Sequence, residues 1–337
     1  MRYEPLAIRR RDFLRVAMGS LAATGFGRDA LSMQGDSPTG IPTRPLGRFE
    51  ERIPIVGLGG YHIGVPDESE AIRIMHEAID EGMTFFDNAW DYHGGGSEEV
   101  MGKALADNGR REKAFLMTKC CDRDYKGAKQ HLEDSLRRLK TDYLDLWQFH
   151  EINWSIDADW LFDKGGIKAA VEARKEGKVR YIGFTGHRAT VHHLKTVGKP
   201  FEWDTVQMPI NLLDAHYDSF QKKVLPVCRA KKIAILGMKA LAGGALPKSV
   251  GIPAEACRRF ALSLPITSLV CGIQSREDLR QDLAMARTFQ PISEAEMNQL
   301  IADSEAEGRD GKLERWKTTD YGGGYHRKQH EGIPRGE

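Results

Sequence analysis

The chain has 337 residues, 41% hydrophobic and 29% charged, with a formal net charge of +1. That near balance leaves no electrostatic footprint for nucleic acid or an acidic partner surface. No run of eighteen apolar residues marks a transmembrane span, and the length suits one barrel of about 250 residues with extensions.

Residues 1–40 read differently from the rest. Arg9, Arg10 and Arg11 precede Phe13, Leu14, Arg15 and a modestly apolar stretch of small residues. The segment resembles a twin-arginine export signal, with Arg10 and Arg11 as the pair. The resemblance implies the twin-arginine machinery as a partner and a periplasmic location, or a cytoplasmic one where the signal does not function. That route carries folded proteins, so a nucleotide loaded in the cytoplasm would travel with the chain. The run "SMQGDSPTGIPTRP" then reads as linker.

A short hairpin and a first strand are expected near 53–59. Further strands follow near 84–88, 114–119, 144–149, 179–184, 205–210, 233–238 and 268–272. Helical patterns lie between them near 68–82, 97–107, 126–139, 165–176, 190–198, 217–231, 254–263 and 277–287. Alternating strand and helix implies parallel strands, and eight such units imply an α/β fold closed into a (β/α)8 barrel. Runs such as "IAILGM" are too continuous for half-exposed strands, as expected when both faces are covered. The barrel domain is placed at 41–308, ending in a helix near 293–307. A polar tail over 309–337 contains Trp316, Tyr321 and Tyr325 and either crosses the barrel mouth or lies free.

Asp87, Tyr92, Lys119 and His150 each stand at or just after the end of an apolar run: "MTFFD", "AFLMTK" and "LDLWQFH", with Tyr92 five residues beyond Asp87. Residues at the C-terminal ends of barrel strands converge on one mouth. Adding a hydride to a carbonyl leaves charge on oxygen, so a proton donor is needed there. A tyrosine beside an ammonium has its phenolate favoured and its pKa lowered. Tyr92 is therefore expected to be the acid, Lys119 to tune it, Asp87 to orient Lys119, and His150 to position the carbonyl oxygen.

Those segments, with "DNAWDYHGGGSEEVMGKAL", resemble the aldo-keto reductase superfamily over roughly residues 43 to 290. The resemblance implies a nicotinamide cofactor bound extended across the barrel mouth. The lack of a GxGxxG after the first strand does not count against that cofactor. It also implies Gln207 for the nicotinamide carboxamide, with Thr185, Gly186 or His187 where the family has Ser-Asn. Gly237, Met238, Lys239 and Leu241 would line the pyrophosphate path. Gly272, Gln274, Ser275, Arg276, Gln281 and Asp282 would stand near the adenosine phosphate. Gln274 occupies a position where a cation would partner a 2′-phosphate, yet NADP(H) is favoured over NAD(H). Gly59 would allow close backbone approach.

On the substrate side the expected residues are Tyr61, His62, Trp90, Trp154 and His187, faces that suit sugars and aryl carbonyls alike. No metal is expected: His192 and His193 are read as pointing outward from a helix that His187 precedes. The cysteines Cys120, Cys121, Cys228, Cys257 and Cys271 show no CxxC spacing, so neither a disulfide framework nor a zinc motif is expected. The favoured activity is interconversion of a small-molecule carbonyl and an alcohol. The alternatives are an epimerase or lyase that retains its cofactor without net redox change, and a non-catalytic protein that senses the cofactor.

Overall fold

The computed structural model describes residues 39–319 and 321–335, so the twin-arginine-like segment lies outside the described residues. Two short antiparallel strands, β1 (Thr43–Pro45) and β2 (Arg52–Pro54), form a hairpin. Eight parallel strands then close a barrel: β3 (Val56–Gly59), β4 (Phe85–Asp87), β5 (Phe115–Cys120), β6 (Leu144–Phe149), β7 (Val179–Thr185), β8 (Thr205–Pro209), β9 (Ala234–Met238) and β10 (Ser268–Cys271). β10 pairs with β3 to complete the ring. Closure leaves the barrel no free edge. This is the (β/α)8 barrel that the alternation implies. The expected single strand at 53–59 is two elements, because Ile55 leaves the hairpin and β3 starts a new pairing.

Side-chain alternation divides the core. Phe85, Phe115, Met117, Leu146, Ala234 and Leu236 fill the lower barrel together with Leu46 and Ile53 of the hairpin, so the hairpin stoppers the end opposite the site. A methyl group on Gly57 would come within 2.3 Å of the Phe85 ring, so glycine is what admits that ring to the interior. The outward sides of the strands, among them Leu58, Phe86, Leu116, Trp147 and Phe184, pack against the surrounding helices.

The main covering helices are α1 (Glu68–Asp80), α2 (Gly96–Leu105), α3 (Tyr125–Leu139), α4 (Gly166–Lys175), α5 (Thr190–Val197), α6 (Leu225–Ala230), α7 (Ala254–Ser263) and α8 (Arg276–Arg287). The expected helix at 217–231 is broken into Phe220–Lys223 and α6. Pro226 lies in the first turn of α6, where a missing N–H costs no helical bond. On α5 the expectation of outward histidines is overturned. His193 is fully buried, with ring centroids 5.3 Å from Phe184 and 4.9 Å from Phe220, and His192 is buried beside it. Thr190 starts the helix with its N–H bonded to Asp218 at 2.8 Å.

After α9 (Glu294–Gly308) the chain returns over the C-terminal ends of the strands, through a turn at Arg315–Thr318 and a short helix α10 (Gly324–Gln329). Lys317 pairs with Asp214 at 2.7 Å, the Tyr325 hydroxyl donates to Asp122 at 2.7 Å, and His330 meets Asp157 at 2.7 Å. The tail thus covers the mouth.

Candidate active site

Asp87 ends β4, Lys119 stands near the end of β5, and His150 directly follows β6. Tyr92 opens a turn (Tyr92–Gly95) that leads into α2, and His93, at φ 51°, bends the chain there. All four side chains line one cavity of about 1410 Å³ at the C-terminal mouth. Lys119 forms an ion pair with Asp87, donates to the Asn88 carbonyl at 2.7 Å, and lies 3.4 Å from the Tyr92 hydroxyl. Gln207 Nε2 donates to the other Asp87 oxygen at 3.2 Å. His150 Nδ1 is 3.1 Å from Asp91 Oδ1, and its ring meets that of Tyr92 edge-on at 5.5 Å. The His150 carbonyl accepts from the buried Arg123 guanidinium at 2.7 Å, which pins the end of the strand.

The electrostatics differ from the expectation at Tyr92. Burial, with added repulsion from Asp87, Asp91 and Glu151, pushes the phenol well above its ordinary pKa rather than below it. Lys119 does not reverse this, because Asp87 already neutralises it. Tyr92 is therefore held protonated. Burial also works against ionisation at Asp91, but His150 outweighs it and holds that carboxyl below its usual range. Glu151 behaves likewise: burial is outweighed by His326 and His187.

The mouth also holds Glu151, Lys248, Arg258 and Arg327, which the sequence did not single out, and unusual backbone at and near residues it did. Glu151 is buried in a left-handed conformation at φ 52° and accepts the Gly323 N–H at 3.1 Å. Lys239 and Ala242 are also left-handed, at φ 59° and 50°, and such strained non-glycine residues gather at functional sites. The only hint of Glu151 in the sequence is its place beside His150. Tyr321, Tyr325 and Arg327 of the tail, with Lys248 and Arg258, complete the wall.

Of the expected cofactor residues, Gly59, Thr185, Met238, Lys239, Leu241, Gly272 and Gln274 line the cavity. Gly186 and Gly237 do not. A methyl on Gly186 would meet the Ile152 carbonyl at 2.6 Å, and one on Gly237 would meet the Ile266 side chain at 2.9 Å, so Gly186 admits a close backbone and Gly237 admits core side chains. Ser275 caps α8, Arg276 pairs with Glu77 at 2.6 Å, Gln281 bonds Glu277 at 2.9 Å, and Asp282 pairs with Arg258 at 2.9 Å. Tyr61, His62, Trp90 and His187 lie on the wall. Trp154 does not: it is buried against His330, the rings stacked at 4.0 Å, and braces the tail.

The wall fits a bound dinucleotide on two observations. Gln207 is not on the wall itself but is buried and bonded to Asp87, which is, and its Oε1 has no hydrogen-bond partner among the described residues, an acceptor waiting for an amide donor. Lys239 faces the cavity with its ammonium 4.9 Å from the Trp316 ring and 5.1 Å from that of Tyr321, suited to a phosphate beside it.

Comparison with known proteins agrees with this architecture. The Aldo/keto reductase family model matches residues 55–259. The uncharacterized oxidoreductase YrpG of Bacillus subtilis is 34% identical over 226 residues, 60% of this chain and 67% of that protein. YqkF of the same organism, also an uncharacterized oxidoreductase, is 30% identical over 258 residues, 72% of this chain and 79% of that one. In fold, the aldo-keto reductase AKR11C1 from Bacillus halodurans (holo form) superposes with a TM-score of 0.68 at 24% identity, over 80% of this chain and 100% of that one. With more than half its length matched by the family model, and with a barrel of the same fold, this chain belongs to the aldo/keto reductase family, whose members use nicotinamide cofactors.

Proposed function

We propose that the protein interconverts a small-molecule carbonyl and an alcohol with a nicotinamide cofactor, and that Tyr92 moves the proton. The observation that carries this reading is the Asp87–Lys119–Tyr92 chain: a buried, protonated phenol 3.4 Å from an ammonium that a carboxylate holds in place. A bound reduced nicotinamide supplies the hydride. Gln207 and Thr185 would hold its carboxamide end, and Lys239 its phosphates. Tyr92 donates its proton to the carbonyl oxygen as charge develops there, with Lys119 stabilising the phenolate that remains. His150 keeps Nε2 toward the substrate oxygen, because Nδ1 is engaged by Asp91. In alcohol oxidation the same proton returns to Tyr92.

NADP(H) is the favoured cofactor, since Lys248 brings a cation to the wall that also holds Gly272 and Gln274. The half-buried mouth with Tyr61, His62 and Trp90 suits a sugar or aryl carbonyl. Export through the twin-arginine route, with nucleotide carried inside the folded protein, completes the reading, and the tail across the mouth favours slow exchange of that nucleotide. Slow exchange also keeps open an epimerase or lyase that returns its hydride to the same substrate.

The test is to purify the full chain without added nucleotide, denature it, and identify released nucleotide by mass spectrometry. NADP(H) near one equivalent supports the reading in full. NAD(H) corrects the cofactor. A chain that neither releases nor binds either nucleotide ends the proposal. Turnover of a carbonyl panel then separates net reduction from redox-neutral chemistry.

A further inference from the structure

Asp91, Cys121, His150 and His326 come from four separate places: the turn before Tyr92, the residue after β5, the residue after β6, and tail helix α10. One ligand-capable atom of each lies within 4.8 Å of all the others. His150 Nδ1 stands 3.1 Å from Asp91 Oδ1 and 3.7 Å from Cys121 Sγ. Zinc bonds of about 2.0 Å to nitrogen or oxygen and 2.3 Å to sulfur imply tetrahedral edges of roughly 3.3–3.8 Å. Two of the spacings therefore already lie close to a tetrahedral donor set.

The second observation is His326. It is fully buried, and neither Nδ1 nor Nε2 has a hydrogen-bond partner among the described residues. A buried polar group left unpaired is costly, so the tail carries into the mouth an imidazole with an unmet demand. Its ring lies 5.4 Å from that of His150. Gly323, just before α10, leaves room for the carboxylate: a methyl there would fall 2.7 Å from Asp91 Oδ2.

We propose that Asp91, Cys121, His150 and His326 bind a divalent transition-metal ion of the zinc class. One thiolate, two imidazoles and one carboxylate suit such a borderline ion and not magnesium or calcium, which take oxygen ligands. On binding, the Cys121 thiol gives its proton to solvent and the sulfur donates its electron pair to the ion. With four protein ligands the site is closed, which is the structural type. Its work is to clamp α10 onto the ends of β5 and β6, fixing the tail over the mouth. His150 would bind through Nδ1, so Nε2 stays toward the substrate. The proposal does not rest on the reduction chemistry, and its readout is metal binding.

The experiment uses the full chain, freed of metal with a chelator and titrated with cobalt(II) chloride. The expected result is one equivalent bound, with the intense visible absorption of tetrahedral cobalt and a thiolate-to-cobalt charge-transfer band, both removed by added zinc. Cys121→Ser should lose the charge-transfer band, and His326→Ala should bind at least 100-fold more weakly. Zinc should also protect residues 321–335 from amide hydrogen exchange. Absence of the thiolate band from the wild-type chain at stoichiometric cobalt overturns the proposal, whatever the fate of the variants. Wild-type-like cobalt spectra and affinity in both variants overturn it as well.

Discussion

Lys119 reaches the Tyr92 hydroxyl at 3.4 Å while its charge is spent on Asp87. The lysine therefore does not make Tyr92 acidic in advance; burial and the neighbouring carboxylates keep the phenol protonated. The ammonium matters once the proton leaves and a phenolate must be stabilised. Tyr92→Phe should lower carbonyl reduction by about 10²–10⁴-fold, the range of a positioned general acid, with nucleotide affinity within a few-fold of wild type. Steady-state kinetics and nucleotide titration check both. Retained turnover in the variant would remove Tyr92 from the mechanism.

Lys119→Met should destroy activity and also weaken the fold. It strands Asp87, buried and charged, with only Gln207 as a side-chain partner among the described residues. Breaking one side of a buried ion pair costs about 3–5 kcal/mol. The double variant Asp87→Asn/Lys119→Met should regain much of that stability and none of the activity. Denaturant midpoints for the three proteins, read beside turnover, separate the two roles. Recovery of activity in the double variant would show that Lys119 acts only by balancing Asp87.

What the sequence disclosed and what it hid follow from how far apart the partners lie. Lys119 and His150 stand at the ends of apolar runs, and strand direction alone brings such ends to one mouth. Trp154 also follows β6, and nothing local shows that His330 comes back to cover it. The outward reading of His193 failed because helical period says which residues share a face but not which face the barrel takes. Here Phe184 and Phe220 take it. Asp91, Cys121, His150 and His326 are spread over more than 230 positions, a spacing with no resemblance to a short metal motif.

Lys239 gives a pH dependence with a definite sign. Burial lowers its pKa to about 8, against opposing attraction from Glu151 and Glu314. The rings of Trp316 and Tyr321 flank it, and burial, with this charge added, lowers the pKa of His62. Phosphate binding favours the protonated lysine. Nucleotide affinity should therefore be greatest below about pH 8 and fall as the pH rises through that value. Lys239→Gln should bind about 10–100-fold more weakly at pH 7, as expected for a charged hydrogen bond, with the inflection near pH 8 gone. Fluorescence titration from pH 6.5 to 9.5 measures it. An inflection that survives in the variant would assign it to another group.

The tail is held by a bond that can be cut without touching the mouth. His330 Nε2 donates to Asp157 Oδ1 at 2.7 Å, its ring stacks on Trp154, and Asp157 keeps a second partner in Arg123 at 2.8 Å. His330→Leu removes this bond and the one from Nδ1 to the His326 carbonyl at 2.7 Å, but leaves the Arg123–Asp157 pair, so the barrel should stay folded. The loss of the bond to charged Asp157 is about 1.5–3 kcal/mol, the lost bond to the His326 carbonyl adds to it, and both fall on the tail. Amide exchange in residues 321–335 should speed up, while the strands keep wild-type protection. Because Tyr321, Tyr325 and Arg327 line the cavity, KM for the carbonyl should rise several-fold with kcat little changed. The Asp87–Lys119–Tyr92 chain lies on the barrel and is untouched. An equal loss of protection in the strands would show instead that the tail and barrel unfold as one unit.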